Sequence, residues 1–206
     1  PDGHIINLHP WEHNDVAPAL AAAFSTDVPI IALHLTRPAI EVPDREKLGI
    51  ASHWDASKGA YLIRDYDERP KEGVVIVRGT SSTNTVVSIL EQIGTDHNVK
   101  IVSAVSWELF RRQEQAYKDS IISKTEWSDS MIVTNTGLRI MHNWISNRVV
   151  SEYSVSPDWD DSWRTGGSLD EIIDEAHLSP RWVLKAIQKF TSERSSRLER
   201  LRSEIP

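Results

Sequence analysis

One arginine stands at a position where α/β proteins often bind phosphate. Arg37 follows the apolar run 30–35 in the string L-T-R-P. The run predicts a strand, and ligands of α/β proteins bind beyond the carboxyl ends of such strands. A guanidinium presents two parallel donors that match a phosphate. Arg37 is therefore a candidate phosphate ligand, and a surface ion pair with Glu41 or Asp44 is the alternative that the residues leave open.

Other groups of chemically capable side chains carry weaker signals. His4, His9 and His13 recur at spacings of five and four residues. A strand followed by a turn does not bring such side chains together as metal ligands. The acidic segment 158–161 places its carboxylates in one loop and not as the opposed pair of a glycosidase. We predict neither a metal site nor a glycosidase cleft.

Motifs for nucleophiles and nucleotides are missing from the sequence. It contains no G-x-S-x-G, no G-x-G-x-x-G and no G-K-[ST]. The string Gly79-Thr80-Ser81 follows a predicted strand and could place a helix N-terminus against an anion, but ordinary capping is favoured. Apart from Arg37, we therefore predict no catalytic, cofactor-binding or metal-binding residue.

Composition limits the class of protein. The chain has 206 residues, 39% apolar and 26% charged, which suits one large domain or one and a half ordinary ones. The absence of cysteine excludes a disulfide framework, a thiolate nucleophile and a Cys-based metal site. The longest apolar run, 29–33, is too short to span a membrane, and the first residues lack a signal-peptide pattern. We expect no membrane span, and either no export or a removed N-terminus.

The net charge of −7 is unevenly distributed. Seven Lys or Arg side chains against two Glu give the segment 181–202 a net charge of +5, so the rest carries −12. A nucleic-acid-binding domain would spread its cations over a folded face with stacking aromatic side chains. We therefore predict a solvated basic helix end and no nucleic-acid partner.

Short apolar runs alternate with amphipathic stretches, which predicts an α/β fold. The predicted strands are 5–8, 30–35, 60–63, 74–77, 99–102, 131–133 and, as an optional addition, 149–153. Runs without strict alternation are typical of a parallel sheet that is buried on both faces. The predicted fold class is a three-layer, doubly wound α/β domain with a mostly parallel sheet, preceded by a partial α/β domain.

Two helices near the end carry clear start signals. Ser168 and Glu171 have the spacing of a capping box, and Ser179-Pro180 places proline at a first helical position. The tryptophans with helical spacing are predicted core residues: Trp107, Trp144 and Trp182.

The segment 38–59 contains two prolines, a charged run and little periodicity, which predicts a linker. Before it lie only two strands and one helix, at 12–24, which are too few to bury a core. After it lie enough elements for a complete domain of about 150 residues. The chain therefore begins with an incomplete unit.

Six segments together resemble the C-terminal part of transketolases. His9-Pro10 with Asn14-Asp15 resembles the family string R-P-A-D-x-N-E, residues 35–37 resemble L-[ST]-R-Q, and residues 56–61 resemble A-S-K-G-G-Y. Residues 74–81 resemble the family's strand-to-helix turn, which usually ends in T-G-S, and residues 102–117 resemble V-S-x-P-x-x-x-x-F-x-x-Q-x-x-x-Y. Residues 168–190 resemble the last two helices of the family. Each string is unspecific alone, but their common order is specific. Two departures stand out: Pro38 replaces the glutamine after the arginine, and 154–167 replaces an aromatic-glycine run.

The resemblance implies a division of the chain. Residues 1–37 resemble the tail of a pyrimidine-binding domain, 38–54 a linker, 55–192 the transketolase C-terminal domain, and 193–206 a basic tail. In the family, an N-terminal domain holds the diphosphate and magnesium, and the glutamate that activates the thiazolium lies upstream of the residues present here. The resemblance therefore implies a cofactor of thiamine diphosphate and magnesium in the complete enzyme and none on this chain alone.

The implied activity is two-carbon ketol transfer between sugar phosphates in the pentose phosphate pathway. Arg37 would bind the substrate phosphate, and the C-terminal domain would support structure and a cytoplasmic homodimer. The expected partner is the remainder of the chain or a separate N-terminal subunit, and the isolated chain is expected to be inactive. The alternatives are a free-standing subunit of a split enzyme, a ketoacid-dehydrogenase β subunit and a deoxyxylulose-phosphate synthase.

Overall fold

The computed structural model describes residues 3–36, 39–164 and 166–204. The strands are β1 (Ile5–Leu8), β2 (Ile30–Leu33), β3 (Ala60–Arg64), β4 (Val74–Arg78), β5 (Lys100–Ala104) and β6 (Ser130–Thr134). The α-helices are α1 (His13–Phe24), α2 (Arg45–Leu48), α3 (Thr80–Ser88), α4 (Leu90–Asp96), α5 (Trp107–Phe110), α6 (Gln115–Ile121), α7 (Lys124–Ser128), α8 (Arg148–Tyr153), α9 (Leu169–Glu175), α10 (Pro180–Ser192) and α11 (Arg194–Glu204). Two 3₁₀ helices span His53–Lys58 and Leu138–Trp144.

The larger sheet has the strand order β3-β5-β4-β6. Strand β4 is parallel to both β5 and β6, and β3 pairs antiparallel with β5 at one edge. Parallel neighbours require crossovers, which the helices between β4, β5 and β6 provide. The predicted mixed α/β class with a mostly parallel sheet is confirmed.

Alternate residues of β4 enter two separate cores. Val75 and Val77 pack in the cluster that contains Phe190 of α10. Val74 and Ile76 pack in the opposite cluster, which contains Trp144. Because successive side chains of a strand point to opposite faces, these two clusters cover both faces of the sheet. This arrangement explains why the strand reads as an uninterrupted apolar run.

The first segment forms a two-stranded parallel sheet. Ile5 to Leu8 of β1 stand opposite Ile30 to Leu33 of β2. The His34 N–H donates to the Leu8 carbonyl at 2.9 Å, and β1 ends there. The predicted strand 30–35 is therefore two residues too long, because no partner strand remains beyond Leu8. Leu35 is 65% exposed.

Two hydrogen bonds join this small sheet to the larger one. The His9 N–H donates to the Val105 carbonyl at 2.8 Å, and the Thr80 hydroxyl donates to the Pro10 carbonyl at 3.1 Å. His9 and Pro10 follow β1, Thr80 follows β4, and Val105 follows β5. The carboxyl ends of strands from both sheets therefore meet.

The predicted linker contains ordered structure. Asp44 caps α2 by accepting from the Lys47 N–H at 3.1 Å, and the Arg45 side chain is buried. Asp44 therefore has a local partner, but the structure does not test its pairing with Arg37, which lies outside the described residues. The proposed domain boundaries stay predictions.

The optional strand at 149–153 is wrong, because these residues belong to α8. The Asn147 side chain accepts from the Val150 N–H at 3.0 Å and starts the helix. Val149 and Val150 are both buried, as adjacent residues on one side of a helix can be. Val155 then makes an isolated parallel bridge to Val133.

The predicted starts of the last two family helices are confirmed. Ser168 and Glu171 form the capping box of α9, and Pro180 is the first residue of α10. The Ser179 hydroxyl does not cap α10 but donates to Asp174 at 2.6 Å. The expectation of a solvated basic end is wrong for Arg197, which is 1% exposed.

The tryptophan predictions are correct in part. Trp144 is fully buried, whereas Trp107 and Trp182 are half-buried. Trp182 stacks on His177 with ring centroids 3.9 Å apart, and His177 stacks on the exposed Trp159 at 4.0 Å. Trp182 therefore belongs to a surface stack and not to the core. Among the described residues, no helix combines the length and apolar character needed to cross a membrane.

Candidate functional site

A cavity of about 340 Å³ opens where the two sheets meet. Six of its lining residues carry the chemistry of the site: Asn7, His9, His34, Arg78, Glu108 and Arg139. We call this cavity the Arg78 pocket. Arg37, the sequence-predicted phosphate ligand, lies outside the described residues, and His34 is the pocket residue that precedes it most closely.

Strand β4 places Arg78 in the pocket. The strand is buried along its whole length and ends with the arginine, which is 6% exposed. Gly79 then turns the chain with φ +91, a conformation that favours glycine. A Cβ at Gly79 would lie 1.9 Å from the Asn135 side-chain oxygen. The turn that directs the chain from Arg78 into α3 therefore depends on glycine.

The Arg78 guanidinium has weak protein partners. Its Nη1 lies 3.5 Å from the Ile140 carbonyl, its Nη2 lies 3.4 Å from the Thr136 hydroxyl, and its Nε has no partner in the described structure. Burial lowers the pKa of Arg78 to about 10, and the charge of Glu108 opposes this shift. Arg78 still carries its positive charge at neutral pH.

Two stacked histidines form another wall. The His9 and His34 rings lie 4.1 Å apart at an angle of 7°. Burial, followed by the charges of Arg78 and His34, lowers the pKa of His9 to about 3. The pKa of His34 is also lowered, mainly by burial. Both rings are therefore neutral at pH 7 and can donate or accept hydrogen bonds.

Glu108 is held by its own neighbours. It accepts from the Asn7 N–H at 3.3 Å and from the Ser106 hydroxyl at 3.2 Å. Ser106 also caps the short helix α5, which fixes the start of the segment that carries Glu108. Within the described residues, no carboxylate comes within 4.0 Å of the Arg78 nitrogens. The pocket thus has the hydrogen-bond donors and the positive charge of a binding site, and it lacks the paired nucleophile and base of a site for nucleophilic catalysis among the described residues.

A second buried polar cluster links the first segment to the larger domain. Arg45 Nη2 lies 2.7 Å from Glu12 Oε1 and 2.6 Å from Asp15 Oδ1. The Tyr61 hydroxyl donates to Asp15 Oδ2 at 2.8 Å, and the Arg45 guanidinium also lies over the Trp11 ring. Burial raises the pKa of Asp15 against the lowering effect of Arg45. Arg45 is paired with two carboxylates, although Arg45 Nε and Trp11 Nε1 are buried without a hydrogen-bond partner in the described structure. The ion pairs give the cluster a structural role.

Most of these residues were missed by the sequence reasoning. A signal existed for Arg78, because an arginine that closes the apolar string V-V-I-V-R at a strand end stands where ligands bind. Arg37 meets the same criterion. For Arg45 there was no local signal, since its partners Glu12 and Asp15 are 33 and 30 residues away.

The remaining candidates do not form a site. Within the described ranges, no three His, Cys, Asp or Glu side chains come together as potential metal ligands. His9 is engaged with His34, while His4 and His13 are exposed. Asp158 accepts from the Leu138 N–H, and Asp160 pairs with Arg164 at 2.6 Å.

The fold and the pocket define a class: a doubly wound α/β domain with a cavity, lined by Arg78 and Arg139, at the carboxyl ends of its strands. Residues 59–155 match the family described as "Transketolase-like TK C-terminal domain". The chain is 31% identical over 126 residues to the chloroplastic transketolase of Craterostigma plantagineum, a match that covers 58% of this chain and 22% of that protein.

Solved structures agree in fold. The transketolase of Leishmania mexicana superposes with a TM-score of 0.69 at 16% identity, over 93% of this chain and 26% of that one. A Pichia stipitis transketolase in complex with sedoheptulose-7-phosphate gives a TM-score of 0.66 at 19% identity, also over 93% and 26%. Residues 59–155 therefore match the transketolase-like C-terminal domain family, and the chain as a whole matches the C-terminal portion of transketolases in fold. It spans about a quarter of their length.

The described residues do not supply a site for magnesium and a diphosphate. Magnesium requires several oxygen ligands, and among the described residues no three His, Cys, Asp or Glu side chains come together as potential metal ligands. The one carboxylate named in the Arg78 pocket, Glu108, is engaged by Asn7 and Ser106. We derive no chemical step through thiamine diphosphate on this chain.

Proposed function

We propose that this chain is the C-terminal portion of a thiamine-diphosphate-dependent transketolase, which moves a two-carbon ketol unit between sugar phosphates. The observation that carries the proposal is the extent of the fold likeness. It covers 93% of the chain, so it includes the β1-α1-β2 segment before residue 59 as well as the matched domain. A C-terminal domain on an unrelated partner would not explain that preceding segment.

In this proposal the cofactor supplies carbanion chemistry, and the residues present here position the substrate. Arg37 would bind the terminal phosphate of the sugar. Binding energy from a remote phosphate orients the reacting end of a substrate and so raises the rate of reaction. Support comes from the setting of β2, whose end at Leu33 is followed by His34 in the wall of a cavity.

The proposal also includes the partners of the chain. Diphosphate, magnesium and the activating glutamate would be held by the remainder of the polypeptide or by a separate N-terminal subunit. The larger domain would support the structure of the assembly and a homodimer, and the enzyme would act in the cytoplasm in the pentose phosphate pathway. The buried Arg45 cluster favours a fixed arrangement of the first segment on this domain.

The test uses the complete protein with Arg37→Ala. We expect a large rise in KM for a phosphorylated ketose donor and a small one for an unphosphorylated ketose donor, because the lost interaction is with phosphate alone. Loss of hydrogen bonds to a charged group costs about 1.5–3 kcal/mol, or about 10- to 100-fold in KM.

The matched control is Arg148→Ala, since the Arg148 side chain is 84% exposed and pairs with Glu152. This variant should leave both KM values unchanged. Equal effects of Arg37→Ala on the two donors would contradict the phosphate-binding role.

A separate titration tests the assignment of the cofactor. We expect the 206-residue chain, mixed with thiamine diphosphate and Mg²⁺ in a calorimeter, to show no tight binding and no ketol transfer. One-site binding in the micromolar range would contradict this part of the proposal.

A further inference from the structure

Arg78 differs from the other buried arginines of this protein. Arg45 contacts two carboxylates at 2.6 and 2.7 Å, and Arg197 contacts Asp129 at 2.6 Å. The contacts of Arg78 are to a carbonyl and a hydroxyl at 3.5 and 3.4 Å. A buried cation normally pairs with an anion, because removal from water is costly without one.

The Arg78 side chain lines the cavity, and the exposed residues Arg139 and His142 line it too. An unpartnered Nε does not set Arg78 apart, because Arg45 Nε is also buried without a partner. The difference lies in the carboxylates, which contact Arg45 and Arg197 but come within 4.0 Å of no Arg78 nitrogen in the described structure. The two arginines outnumber the single carboxylate of Glu108, since His9 and His34 are neutral at pH 7. The pocket therefore carries a net positive charge, and no carboxylate among the described residues pairs with Arg78.

We propose that the Arg78 pocket is a binding site for a phosphate monoester, with the phosphate on the Arg78 guanidinium. Arg139 adds a second cation at the mouth, and the histidine rings and Asn7 supply neutral hydrogen-bonding groups. A cavity of about 340 Å³ lies within the range that small ligands occupy. Planar guanidinium groups match phosphate oxygens in pairs, which favours phosphate over a halide.

This site goes beyond the proposed function, because it needs neither Arg37 nor the cofactor. It draws on both parts of the chain: Asn7, His9 and His34 from the first segment, and Arg78 and Arg139 from the larger domain. A bound phosphate would therefore bridge the two parts at the place where their strand ends meet. Its failure would leave the transketolase assignment intact.

The experiment is a titration of the 206-residue chain at constant ionic strength and pH 7.5. Three ligands are compared: inorganic phosphate, fructose 6-phosphate and fructose. Binding is followed by calorimetry and by the NMR signals of the histidine rings, since His9 and His34 line the site. We expect saturable one-site binding of fructose 6-phosphate and none of fructose. If inorganic phosphate binds equally well, the phosphate group alone is recognised; if it binds more weakly, the sugar also contributes.

Three variants locate the site. Arg78→Gln should weaken binding about 10- to 100-fold, as expected for the loss of charged hydrogen bonds. Arg139→Gln should weaken binding less than Arg78→Gln does. Because Arg139 is exposed, this variant still tests the site if Arg78→Gln does not fold. Arg148→Gln is the control and should bind as the unmodified chain does, because its side chain pairs with Glu152 on α8.

Two results would overturn the proposal. One is the absence of saturable binding of both phosphate ligands up to about 10 mM, which corresponds to a binding free energy weaker than about 3 kcal/mol. The other is a pair of results: Arg139→Gln binds with unchanged affinity, and Arg78→Gln either binds with unchanged affinity or does not fold.

Discussion

The strongest test of the packing concerns Asp129, which anchors the C-terminal helix α11. Its Oδ1 accepts from Arg197 Nε at 3.0 Å and Nη2 at 2.6 Å, and its Oδ2 accepts from Arg194 Nε at 2.9 Å. Arg197 also donates to the Phe190 carbonyl and lies over the Phe190 ring. In Asp129→Ala, the Arg197 charge would remain buried with no carboxylate.

The expected cost follows from that burial. Removing one partner of a buried ion pair typically costs about 3–5 kcal/mol. Arg194 adds little, because its side chain is 34% exposed and stays solvated. With a urea m-value of about 3 kcal/mol/M, suited to a chain of this size, the unfolding midpoint should fall by about 1–2 M.

The assay is equilibrium unfolding in urea, followed by tryptophan fluorescence and by far-UV circular dichroism. The double variant Asp129→Ala/Arg197→Met should be more stable than Asp129→Ala alone, because it removes the unpaired charge and keeps apolar volume beside Phe190. Arg148→Gln, in an exposed pair, serves as the control and should leave the midpoint unchanged. A midpoint for Asp129→Ala within error of the parent, or a double variant no more stable than Asp129→Ala, would refute the reasoning.

Three further outcomes are expected. Because the pKa of His9 falls from 6.5 to about 3 on folding, the unfolded state binds more protons between these values, so stability should drop by up to about 1.4 kcal/mol per pH unit below pH 6.5. His9→Gln should flatten that slope in urea titrations at pH 4–7, and an unchanged slope would remove His9 as its cause. Gly79→Ala should lower the melting temperature sharply through the clash with Asn135, whereas Gly166→Ala, with open space around it, should not. Arg45→Met should destabilise the chain by stranding the carboxylates of Glu12 and Asp15, which thermal unfolding would show as a lower midpoint than that of Arg148→Gln.

Local signals in the sequence predicted local structure well. The capping box of Ser168 and Glu171 and the proline start of α10 depend on residues within one turn, so spacing alone identifies them. The buried strand β4 was readable because its two faces meet two apolar cores. The strand prediction at 149–153 is wrong because a pair of adjacent valines, here Val149 and Val150, suits either a strand or the buried side of a helix.

Residues that depend on distant partners were not predictable in the same way. Arg197 stands in a basic segment that reads as solvated, and its partner Asp129 lies 68 residues away. Arg45 stands in a charged, proline-flanked segment that reads as a linker, yet its side chain contacts Glu12 and Asp15 at the start of α1 and Tyr61 of β3. The Arg78 pocket is assembled from several strand ends and loops, so only the topology brings its cations together.

The most direct measurement is the reaction of the complete protein, in which this chain is joined to the rest of its polypeptide or to its partner subunit. Thiamine diphosphate, Mg²⁺, a ketose phosphate and an aldose phosphate are supplied, and the products are identified by mass spectrometry. We expect an aldose phosphate two carbons shorter than the donor and a ketose phosphate two carbons longer than the acceptor. Absence of that exchange, or decarboxylation of a 2-oxoacid in its place, would contradict the assignment to transketolase.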